Sequence, residues 1–90
     1  MNDIAHRVRT LGLGFNDRIE SWRIDFALEY IDFDELPLAF ETLYTYIYEH
    51  GGTITSAEYR ELHELAQLLN TPFSPQTRSA LIAMTCDGNG

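Results

Sequence analysis

Between residues 36 and 47 apolar side chains recur at i, i+3, i+4, i+7 and i+11: Leu36, Ala39, Phe40, Leu43 and Ile47. A half-buried strand needs alternation of period two, so this spacing belongs to one stripe of an α-helix. One helix cannot bury such a stripe alone, so the chain must supply other helices to cover it. No segment shows a strong alternating pattern; the short run Thr53-Ile54-Thr55 is ambiguous. The expectation is an all-α fold, a small bundle of four to five helices.

Local punctuation divides the chain into five segments. The first is expected from about Asp3 to Leu11, stopped by Gly12 and Gly14. The second should start near Asn16, as N-cap with Asp17 in the first turn, and run to about Ile31. Asp34 can cap the third, with Pro37 tolerated in its first turn, and Gly51 after His50 suits a left-handed C′ position. Thr55-Ser56-Ala57-Glu58 matches a capping box, with Ile54 placed to staple against Tyr59. That fourth helix should end near Leu69, with Asn70 as the stop and Pro72 beyond. Ser74-Pro75 supplies a cap and an N1 proline for a last helix to about Met84.

Ninety residues make a single domain, 1–90, with residues 85–90 expected to be a flexible tail. Hydrophobic residues form 44% of the chain, enough for one modest core. No apolar stretch approaches a membrane span, and MNDIAHRVRT is too polar for a secretory signal, so a cytoplasmic location is expected. The lone Cys86 excludes an internal disulfide.

Charge narrows the partner class. The formal net charge is −8, all six basic residues are arginine, and lysine is absent. From Asp25 to Glu64 there are ten acids against Arg60 alone, while the flanks are near neutral. Such a field repels nucleic acid and anionic lipid and attracts cationic protein surfaces. Acidic surfaces also keep small proteins in solution, so charge alone gives only a lean.

Two helix faces carry the candidate binding residues. On the third helix, the side opposite the core stripe collects Leu38, Glu41, Thr45, Tyr48 and Glu49, with Tyr44 and Tyr46 at the stripe's borders. Aromatic anchors among carboxylates resemble an interface, although Leu38 and Tyr48 could equally pack beneath another helix. The second helix is apolar on two patches, Ile24-Ala27-Leu28-Ile31 and Ile19-Trp22-Phe26-Tyr30, which predicts a central helix packed on both sides. Its polar wedge sets Asp25, Glu29 and Asp32 at i, i+4 and i+7, where like charges cost about 0.2–0.5 kcal/mol per pair. That cost suggests that a partner supplies the positive charge. Trp22 beside the stripe could be an anchor, although a core tryptophan is the commoner outcome. On the fourth helix, Tyr59, Leu62, Leu65, Ala66 and Leu69 should face inward, and Arg60, Glu61, Glu64 and Gln67 outward, extending the negative surface.

No catalytic constellation is legible. His6, His50 and His63 fall on three different helices without metal-ligand spacing, so no metal or other cofactor is expected. Cys86 lacks a cationic activator, and Gly12-Leu13-Gly14 forms no phosphate-binding loop. Carboxylate pairs are abundant, but sequence places no cleft around any of them, and an enzyme is the least favoured reading.

The runs Ala27-Leu28-Glu29-Tyr30-Ile31, Leu38-Ala39-Phe40-Glu41-Thr42-Leu43 and Ile47-Tyr48-Glu49, with Glu35 between the first two, form a recognisable pattern. Ile54-Thr55, Glu58-Tyr59, Leu62, Leu65 and Leu69 continue it. Over about residues 24 to 70 the chain resembles the MafI-type immunity proteins of bacterial polymorphic toxin systems. It departs from them at Asp34, where the family often has glycine. The resemblance implies a helical bundle that neutralises the C-terminal domain of a toxin in the cytoplasm. Toxins paired with that family are often ribonucleases, some similar to the EndoU type, and some belong to contact-dependent inhibition. A ribonuclease needs a cationic groove, which an acidic inhibitor can occupy or flank. The expected contacts are Asp25, Glu29 and Asp32 with Glu35, Leu38, Glu41, Thr45, Tyr48 and Glu49. The alternative is an acidic helical adaptor that binds a protein unrelated to toxins.

Overall fold

A computed structural model describes residues 3–86 as five helices: α1 (Asp3–Leu13), α2 (Ser21–Asp32), α3 (Leu36–His50), α4 (Ser56–Leu68) and α5 (Pro75–Met84). The fold class is all-α. No helix among the described residues is long and apolar enough to cross a membrane.

The stripe on α3 builds the core. Ala39, Phe40, Leu43 and Ile47 are fully buried, and Leu36 is half-buried at the helix start. Around them gather Val8 and Leu11 of α1, Ile24, Ala27 and Leu28 of α2, Leu62, Leu65 and Ala66 of α4, and Leu81 of α5. Each fully buried Leu, Ile or Phe contributes about 1.5–3 kcal/mol relative to exposure, which is what fixes α3 at the centre. Phe73, before α5, closes one side of it: its ring lies 4.8 Å from Tyr44, edge-on, and 6.2 Å from Phe40.

Four helix boundaries differ from expectation. α1 does not stop at Gly12 but runs through it to Leu13. A Cβ at Gly12 would lie 3.3 Å from Leu28 Cδ2 and 3.5 Å from Leu43 Cδ1, so the glycine lets α2 and α3 approach α1 closely. α2 does not begin at Asn16. Residues 14–19 form successive turns that bury Phe15 and Ile19, and Glu20 becomes an N-cap without a side-chain cap bond. The left-handed residue after α3 is Gly52 (φ 74°), whereas Gly51 is right-handed. Between α2 and α3, Asp34 is also left-handed (φ 64°), so Glu35 takes the N-cap position in its place.

The capping box, the Asn70 stop and the Ser74 cap are as expected. Thr55 Oγ1 accepts from the Glu58 backbone N–H at 3.0 Å and Glu58 accepts from the Thr55 N–H at 2.9 Å, completing the capping box. Asn70 takes a left-handed stop (φ 57°), and Ser74 caps α5 through the Thr77 N–H. Ile54, buried before α4, donates its N–H to the Met84 carbonyl at 3.1 Å and accepts from Cys86 N–H at 3.1 Å. Of the stretch expected to be a tail, Thr85 and Cys86 are thus tied to Ile54 in an isolated parallel bridge. Residues 87–90 lie outside the described residues.

Candidate functional site

The arginines decide which acids remain available. Arg7 of α1 forks onto Glu61 of α4, with Nε 2.9 Å from Oε2 and Nη2 2.8 Å from Oε1, and Nη2 lies 3.2 Å from Glu64. Arg18, in the turns after α1, forks onto Glu58 at 2.9 and 2.7 Å and also donates to the Gly14 and Thr53 carbonyls. Its guanidinium sits 4.1 Å from the centre of the Phe15 ring. Bidentate pairs of this kind are strong because both hydrogen bonds are charge-assisted. The hydrogen bond from Arg18 holds the Glu58 carboxyl below the usual carboxylate range, and Arg7 does the same to Glu61. The acids of α4 therefore do not extend a free negative surface as expected. They clamp α1 and its following turns onto α4.

The unpaired acids concentrate elsewhere. Among the described residues, Asp25, Glu29, Asp34, Glu35 and Glu41 have no ion pair, and Glu49 has only His50, 3.8 Å away and charged only if protonated. All six lie on α2, α3 or the turn between them. Asp32 is 3.6 Å from Arg9, with both side chains well exposed.

The expectation that α2 is central, packed on both sides, is corrected. Ile24, Ala27 and Leu28 are buried, but Trp22 is 57% and Phe26 46% exposed on the opposite face. Phe26 leans edge-on to Tyr30, 5.5 Å between ring centres. The guanidinium of Arg23 lies 4.5 Å from the Trp22 ring and 5.5 Å from Tyr46 of α3, with its Nε 2.8 Å from Glu20. The guanidinium thus lies between the indole and the Tyr46 ring.

On this same exposed face of α2 a shallow groove of about 540 Å³ runs toward the end of α1. Leu28 floors it, Leu13, Trp22 and Phe26 wall it, and Asp25, Glu29, Asp32 and Arg9 rim it. A second depression of about 300 Å³ lies on the outer face of α3 over Leu38, Glu41, Thr42, Thr45 and Tyr46. Leu38 and Tyr48 are exposed rather than packed beneath a neighbouring helix.

The nine residues expected to contact a partner thus fall into two groups. Asp25, Glu29 and Asp32 share the α1–α2 groove; Leu38, Glu41 and Thr45 share the α3 depression. Glu35, Tyr48 and Glu49 are exposed but line neither. The Thr45 hydroxyl is already used, donating to the Glu41 carbonyl at 2.8 Å. Sequence reasoning missed Leu13 and Phe26 as wall residues; the i, i+4 spacing of Trp22 and Phe26 beside the acidic stripe was the available signal. Among the described residues, no three His, Cys, Asp or Glu side chains are grouped to hold a metal ion. Comparison with protein families, characterised proteins and solved structures finds no match to this chain.

Proposed function

We propose that this chain is an immunity protein that binds a basic antibacterial toxin domain, a ribonuclease, and neutralises it in the cytoplasm. The observation that carries this reading is the distribution of unpaired charge. Four arginines are spent within the fold, and the acids left without a counterpart gather on α2, α3 and their turn, beside exposed aromatic side chains. An active site that binds RNA must be cationic, so a surface of this composition is complementary to it and accelerates encounter. The resemblance to MafI-type proteins points to the same class of partner. At Asp34, where that family often has glycine, the backbone is left-handed, the conformation that glycine serves best.

The test is co-expression with the C-terminal domain of the effector encoded beside this gene. Restored growth, lost when Asp25, Glu29, Glu41 and Glu49 are together changed to Lys, is the expected result. Growth that is restored equally by the charge-reversed chain would exclude an acidic interface. Absence of any neighbouring effector, with no protection against basic ribonuclease domains, would overturn the toxin assignment.

A further inference from the structure

We infer that the groove between the end of α1 and the outer face of α2 is the anchoring site for a basic amphipathic segment of a protein partner, its apolar side chains on Trp22, Phe26 and Leu13 and its arginines against Asp25 and Glu29. The inference rests on the reading of the chain as a binder of a basic protein, and it names where and how that protein is gripped.

Three observations converge on this occupant. The first is uncovered apolar area: Leu13, Trp22 and Phe26 are 49%, 57% and 46% exposed, and all three wall one groove. A volume of about 540 Å³ takes several side chains, within the range that binding clefts occupy. The second is the sign of the rim. Asp25 and Glu29 have no cation within the described residues, and Arg9 at 3.6 Å offsets only Asp32. A purely apolar segment would leave those carboxylates beside a dry contact, which is costly, whereas an arginine-bearing segment satisfies them. The third is pre-organisation. Arg23 packs on Trp22 from the α3 side, so less side-chain freedom remains to be lost when the indole is covered.

The same charges argue against a second copy of this chain as the occupant. A two-fold dimer would set the groove of one copy against that of the other and oppose the acidic rims. Nucleic acid and anionic membranes are repelled for the same reason.

Trp22 is the only tryptophan in the chain, so its fluorescence reports the groove directly. The probe is a synthetic helical peptide of about 18 residues built from Leu, Ala and Arg, without aromatic residues and long enough to hold some helix alone. A sister peptide carries Glu in place of Arg, and another Ser in place of Leu. The expected result is a saturable change in Trp22 emission with the Leu–Arg peptide only, weakened at least about tenfold by Asp25→Lys with Glu29→Lys or by Phe26→Ser. A Gln67→Lys, Gln76→Lys variant, changed at exposed positions outside the groove and the α3 depression, should bind it as the parent does. No response, an equal response to the Ser–Arg peptide, or an emission change that follows the protein's own concentration would each overturn the inference. The last would assign the groove to a second copy. These outcomes separate from those of the growth assay. Protection without peptide binding removes the groove and keeps the function; peptide binding without protection does the reverse.

Discussion

Arg18 and Glu58 meet across 40 residues of sequence, with Arg18 Nη2 2.7 Å from Glu58 Oε2, and the same Glu58 closes the capping box of α4. One carboxylate therefore fixes both the start of a helix and the path of the turns between α1 and α2. Both side chains are about three-quarters or more shielded from solvent. Glu58→Gln keeps the cap geometry and loses the charge; Arg18→Ala loses the clamp and its contacts to Gly14 and Thr53. Each is expected to cost about 1–2 kcal/mol in urea unfolding, near the low end for hydrogen bonds to charged groups. A double-mutant cycle should show coupling of at least about 0.5 kcal/mol. Additive losses would mean that the pair forms no unit.

The same clamp sets a dependence on acid. Glu58 and Glu61 are held below the usual carboxylate range by Arg18 and Arg7. Unfolded, both titrate near the ordinary value of about 4.3, so on acidification the unfolded chain binds their protons first. Their contribution is complete above that value and disappears as pH falls through the depressed folded values. The measurement is taken as a difference between two proteins, so that it reports these two carboxyls alone. The stability gap between the parent and a Glu58→Gln, Glu61→Gln variant should be constant from neutral pH to about 5 and shrink as the pH falls further, closing once it is below the depressed folded values. A gap that persists in acid would place the origin of the stabilisation outside these ion pairs.

How much of this was legible in the sequence depended on how far apart the deciding residues lie. The stripe from Leu36 to Ile47, the capping box at Thr55 and the Ser74 cap are local signals, and the structure follows each of them. The start of α2 is not legible, because Asn16 and Asp17 look like a cap locally. Burial of Phe15 and Ile19 keeps that stretch in turns instead. Gly12 reads as a stop unless one knows that Leu28 and Leu43 press against it. The acids of α4 looked available because their arginines lie 54 and 40 positions away, beyond any periodicity. Trp22 was the hardest. Its apolar neighbours on α2 suggested burial on both sides, yet only the Ile24 face finds a core.

The glycine pair after α3 makes opposite demands on a side chain. Gly52 is left-handed (φ 74°) with open space around it, so Gly52→Ala should cost about 1–2 kcal/mol through backbone strain alone. Gly52→Asn should recover much of that, because asparagine tolerates this conformation. Gly51 is right-handed, but a Cβ there would sit 2.6 Å from the Ile47 carbonyl oxygen, and that atom belongs to rigid backbone. Gly51→Ala is expected to cost more than Gly52→Ala, and Gly51→Asn to give no recovery. Thermal unfolding of the four variants decides it; equal losses at the two positions would show that the Ile47 turn yields easily.

The electrostatic character of the groove can be read without any partner. Trp22 is over half exposed, with Asp25, Glu29 and Asp32 on one side of it and Arg23 4.5 Å from its ring on the other. A cationic quencher should therefore collect near the indole and an anionic one should be excluded. At low ionic strength caesium is expected to quench Trp22 emission more efficiently than iodide by about twofold, after each is normalised to a free tryptophan derivative. In about 1 M neutral salt, where the screening length falls to about 3 Å, the two should converge. Asp25→Asn with Glu29→Gln should narrow the gap at low salt and leave unfolding nearly unchanged, since both side chains are exposed. Equal quenching by both ions in the parent would mean that Arg23 cancels the field at the ring. The groove would then have no electrostatic reason to prefer a basic segment over a neutral one.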